Sequence, residues 1–208
     1  MPFGTLSERE AEILGQPPRI PPLDRAENED KVREVTRALR AGIVRDEREL
    51  PLDAIPEIMF TLCHHPDLWA KIMALSLQMQ DVTGMLPPRD RQLAVLRTGW
   101  LLQAPYEWGQ HVQWSKNVGI TSEEIERVTI GSTSPEWTEH ERAVLQAAEE
   151  LRDRAMVSDA TWATLAEQLD DRQLFELLAL VGQFTTVAYI QNGLRLRLEP
   201  GNTGLSAR

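Results

Sequence analysis

Three short stretches decide what kind of fold this chain can adopt: Thr121-Ser122-Glu123-Glu124, Thr138-Glu139-His140-Glu141 and Asp170-Asp171-Arg172-Gln173. Each sets a short oxygen-bearing side chain three residues before Glu or Gln. That reciprocal pair satisfies two of the N–H groups a helix leaves free at its start. Apolar residues then recur behind each at three- and four-residue spacing. No stretch alternates convincingly with period two. The chain therefore reads as all-α, with about eight or nine helices.

The other elements follow from the same signals. Val32, Val35 and Leu39 give 27–41 one apolar face, with Gly42 as its stop and the charged stretch Arg45 to Glu49 as a solvated linker. Pro51 to Cys63 reads as a short helix. Pro66 starts another, which Gly84 ends, and Pro87-Pro88 opens a largely buried one over about 89–103. Pro105 starts the next, closed by a left-handed glycine at Gly119. Ser158 caps a helix from Thr161 to Leu169, and the last helix is apolar from Leu174 to Ile190. Residues 1–26, with prolines at 17, 18, 21 and 22, read as a Pro-rich extended arm. Residues 27–200 form a single helical domain and 201–208 a C-terminal tail.

Charge narrows the partners. With 22 basic against 32 acidic residues the net charge is −10, which disfavours nucleic acid and anionic membrane surfaces. No unbroken apolar run reaches a membrane span of roughly 20 residues. The first residues lack a basic-then-apolar leader, and one cysteine, Cys63, allows no internal disulfide, so a cytoplasmic location is expected.

Chemistry concentrates at Pro105-Tyr106-Glu107-Trp108-Gly109-Gln110-His111. With Pro105 as first helical residue, Glu107 and His111 stand one turn apart on one face. A carboxylate and an imidazole so placed can share a proton, with Glu107 as base or anion and His111 as proton carrier. The bland reading is that Glu107 only complements the helix dipole and binds first-turn N–H groups. Gln92 could hydrogen-bond to a ligand or to His111, or it could be a polar first-turn residue that only satisfies backbone. Tyr106 and Trp108 read as core or pocket wall, and His140 as exposed.

The stretches Pro87 to Arg97, Tyr106 to His111 and Gly119 to Ile125 together resemble the carboxymuconolactone decarboxylase family, within the alkylhydroperoxidase D-like superfamily. The likeness is close over about 86–131. It is looser through Ile55 to Pro66, Leu180 to Gln183 and Leu198 to Gly201. It implies an alkylhydroperoxidase D-like helical fold, assembly as a homo-oligomer (trimer, hexamer or dimer) and a small-molecule substrate. The redox branch of that superfamily carries two cysteines at the positions held here by Ala104 and Glu107, and a glutamate at that of Gln92. Thiolate chemistry needs the sulfur, so dithiol peroxidase activity is not expected. The decarboxylase branch is similar in placing glutamate four residues before the histidine.

The resulting expectation is a cofactor-free decarboxylase, lyase or isomerase. It would act by acid–base chemistry on a small carboxylated or lactone substrate, with Glu107 and His111 catalytic. Gln92, Tyr106, Trp108, Arg97 and His65 are the candidate substrate-binding residues. The alternative is a non-catalytic family member that binds a small molecule or serves assembly. No metal is expected: His64 and His65 are adjacent and diverge, and only a chance meeting of one of them with Glu107 and His111 would give three ligands.

Overall fold

The computed structural model describes residues 4–40, 51–80 and 84–208. Gly42 and the Arg45 to Glu49 linker lie outside the described residues. Ten α-helices are present among those described, with no strand: α1 Leu6–Ile13, α2 Glu29–Arg40, α3 Glu57–Leu62, α4 Pro66–Gln80, α5 Pro88–Leu101, α6 Pro105–Lys116, α7 Ser122–Ile130, α8 Glu139–Arg154, α9 Asp159–Ala166 and α10 Asp171–Leu194. The three expected capping boxes form at Thr121, Thr138 and Asp170.

The helix beyond the expected count is α1. Thr5 and Glu8 close a fourth capping box, inside a segment read as an extended arm. The arm that follows lies along its own domain, with Arg19 N–H bonded to Leu194 O at 3.0 Å and Leu23 N–H to Phe60 O at 3.2 Å.

Helix α5 is the axis of the molecule. Leu93, Ala94, Val95 and Leu96 are all but inaccessible, because α6, α7, α8 and α10 pack around it. A smaller core, built from Val32, Phe60, Cys63 and Trp69, joins α2, α3 and α4 and meets α10 through Ile190 and Leu194. Helix α10 is long and apolar enough by composition to cross a membrane. Here its stripe of Leu174, Leu177, Leu180, Phe184, Val187 and Ala188 is buried against α4, α5 and α6 instead.

The segment 201–208, read as a tail, is packed. Leu205 is buried, with its N–H on Glu10 Oε1 at 2.7 Å, and the Trp108 indole donates to Ala207 O at 3.1 Å. Asn202 bridges Tyr106 O and Gly204 N–H. Gly109 makes this docking possible, since a Cβ there would fall 1.8 Å from Asn202 Oδ1.

Candidate acid–base site

Pro105 begins α6, as its fixed φ favours, and Ala104 before it offers no capping side chain. The first turn could therefore have drawn Glu107 back onto its free N–H groups. It does not. Glu107 Oε2 accepts a 2.7 Å hydrogen bond from the Gln191 amide of α10, and Oε1 stands 3.0 Å from His111 Nε2. Oε1 has no aligned hydrogen bond in this state. On its other side the imidazole meets α5, where Nδ1 lies 2.9 Å from Gln92 Oε1. An amide oxygen only accepts, so this contact puts a proton on Nδ1 and leaves Nε2 toward Glu107.

Four polar side chains from three helices thus form one chain, Gln92–His111–Glu107–Gln191. All are buried, Glu107 being 4% exposed and His111 1%. The imidazole is walled by Trp114, edge-on at 4.7 Å, and by Phe184 at 5.1 Å. Trp114 is 41% exposed, so this wall of the imidazole reaches the surface. Among the described residues the ionic partner of Glu107 is His111, with no lysine or arginine beside it. Low local polarity strengthens every charge interaction in such a place.

The remaining sequence candidates lie elsewhere. Arg97 is buried, and its guanidinium bonds to Glu149 at 2.8 Å and to the carbonyls of Val128 and Thr129. Gly131, with φ of 97°, lets α7 turn tightly there, where a Cβ would meet that guanidinium at 2.3 Å. Arg97 is committed to the α5–α7–α8 contact and is not brought to Glu107 or His111. Trp108 packs on Trp100 and the C-terminal segment. Tyr106 donates to Glu199 Oε1 at 3.2 Å; burial first, and then that carboxylate, push its hydroxyl pKa well above the usual range.

His65 is exposed on a surface cavity of about 280 Å³ with Leu68, Trp69 and Tyr189, whose lining does not include Glu107 or His111. No cluster of three metal-ligating side chains occurs among the described residues. His140 corrects an expectation: it is not exposed but 2.7 Å from Asp90 Oδ2, its side chain only 10% accessible. The capping box fixes its backbone, and α5 happens to pass beside it.

Gln191 was missed by reading the sequence. A signal exists, since it continues the buried α10 stripe one turn beyond Val187 and Ala188, where an amide needs a partner.

Residues 66–150, which contain Gln92, Glu107 and His111, match the model of the Carboxymuconolactone decarboxylase family. The fold is that of the alkylhydroperoxidase D-like proteins. An uncharacterized peroxidase-related protein from Ralstonia eutropha JMP134 with an AhpD core superposes with a TM-score of 0.72 at 18% identity, covering 91% of this chain and 99% of that one. A peroxidase-related protein from Silicibacter sp. TM1040 gives 0.70 at 12%, covering 90% and 96%. The debrominase Bmp8, in complex with 2,3,4-tribromopyrrole, gives 0.69 at 15%, covering 90% and 95%. No curated protein matches the chain. Gln191 falls outside the matched region.

Proposed function

We propose that Glu107 and His111 act as a buried acid–base unit that moves a proton on a small organic substrate, in a reaction of the lyase or isomerase type. The carrying observation is the 3.0 Å approach of Glu107 Oε1 to His111 Nε2, with each partner held from behind by a glutamine. With one ring proton on Nδ1 toward Gln92, a second proton bound by the pair sits between Nε2 and Oε1, where it can be transferred. Catalytic pairs often align only once substrate arrives, which fits the unaligned contact between Oε1 and Nε2. The unit takes a proton from an acidic C–H or O–H and returns it to the neighbouring carbon. In a decarboxylation, the reaction of the family's name, His111 would instead protonate the carbanion left by loss of CO2. The chain supplies acid and base from its own side chains.

The test is to identify small molecules retained on purification by mass spectrometry. Solvent deuterium incorporation into them, and into a set of lactones, is then followed for the native chain, Glu107→Gln and His111→Ala. Incorporation lost in both variants supports the proposal. Incorporation equal in all three proteins contradicts it.

A further inference from the structure

The hydrogen-bond inventory of the same site says what kind of ligand it takes. Gln191 cannot turn its amide over, because Nε2 is engaged by Glu107 Oε2 at 2.7 Å and an oxygen there would face a carboxylate. Its own Oε1 is therefore fixed in orientation, and that oxygen is buried with no donor. Glu107 Oε1, on the adjoining head, has His111 Nε2 at 3.0 Å but no aligned hydrogen bond. Both residues are 4% exposed. Buried acceptors are nearly always satisfied, and a pair left open at one place needs a reason. The His111 ring can satisfy Glu107 Oε1 at most, since Gln191 Oε1 has no donor beside it.

We infer that this pair of oxygens receives the donor end of the substrate, so that the substrate is a small molecule presenting an O–H or N–H group, and not a carboxylate, to this pair. The inference rests on the acid–base reading above and narrows its substrate class. A carboxylate would bring more acceptors to a place that already has too many, where among the described residues no arginine or lysine pairs with Glu107. A hydroxyl or ring N–H satisfies Glu107 Oε1 or Gln191 Oε1 and lays its proton beside the unit that would remove it. The apolar body then rests on the Phe184 and Trp114 rings that flank His111. Hydroxylated or enolic lactones and N–H heterocycles fit. Acids bound through their carboxylate do not.

Phenol, anisole and benzoate share one ring, to which phenol adds an O–H donor, anisole a methyl ether and benzoate a carboxylate. Binding of each to the full chain is followed by NMR at the His111 ring and the Trp114 indole, so that ligand lodged elsewhere is not counted. Phenol should perturb both signals saturably, anisole should bind at least tenfold more weakly, and benzoate should leave them unmoved. Gln191→Leu should reduce the phenol preference over anisole at least threefold. The contrast among the three ligands on the native chain stands even if that variant fails to fold. Benzoate or anisole binding as well as phenol overturns the inference, and so does the absence of binding by all three. Deuterium incorporation that still depends on Glu107 and His111 alongside such a failure would leave the acid–base reading standing and remove only the substrate class. The converse pattern would remove the reading itself.

Discussion

Gln191 reaches Glu107 across 84 residues of sequence, its amide nitrogen 2.7 Å from Oε2. This bond ties the last helix to the first turn of α6 and sets which carboxylate oxygen faces His111. Replacing Gln191 by Leu strips a buried carboxylate oxygen of its donor. It should cost about 1–3 kcal/mol in stability, read by chemical denaturation, and lower turnover by at least tenfold. Gln191→Glu should be worse, because it sets two carboxylates together.

Gln92 plays the matching part for His111. Gln92→Leu frees Nδ1 and lets the ring change tautomer. Loss of one hydrogen bond of about 1–1.5 kcal/mol corresponds to roughly a tenfold fall in kcat, with KM little changed because Gln92 acts through the ring. A side chain that merely fills space would change neither. Rescue by Gln92→Asn should be partial.

Arg97 separates a structural role from a substrate-binding one. Arg97→Met leaves Glu149 half-stranded and two carbonyls, of Val128 and Thr129, without their donor. Breaking a buried pair on one side costs about 3–5 kcal/mol, so the thermal midpoint should drop markedly. Below that midpoint KM should stay near the native value. A large KM rise in folded protein would instead place Arg97 at the substrate.

The His140–Asp90 pair gives a pH signature away from the site. The hydrogen bond to Asp90 raises the His140 pKa above its ordinary 6.5, against the opposing effect of burial. A raised folded value means the stabilisation is fully present below about pH 6.5. It is lost as pH climbs through the higher folded value. Denaturation midpoints should therefore fall over that window, and His140→Asn should flatten the fall. An unchanged slope in the variant would show that the pair contributes nothing.

These relationships explain what could be read from the residues alone. Helix starts were legible because Thr121, Thr138 and Asp170 cap locally, within three residues, and Pro105 fixes its own φ. The Glu107–His111 edge was legible because one helical turn places both on one face. The Gln92 contact was open as one of three alternatives. Gln191, the true partner of Glu107, was not, because a contact over 84 residues depends on how α10 crosses α6. Arg97 stood among the candidate substrate-binding residues, and nothing local pointed to Glu149, 52 residues away, which its guanidinium meets. His140 faced the same ambiguity with Asp90. The packed 201–208 segment shows a related limit: no periodicity marks it, and its burial comes from Gly109 leaving room for Asn202.

The claim that Glu107 and His111 form one proton-transferring unit, set by Gln92, is tested most directly by locating the ring proton of His111. Side-chain nitrogen NMR at neutral pH, on the native chain and on Glu107→Gln, reads it without any substrate. The account predicts a proton on Nδ1 in the native chain, and an Nε2 signal that changes when Glu107 becomes Gln. A ring bearing its proton on Nε2 alone, with signals indifferent to Glu107→Gln, would contradict it.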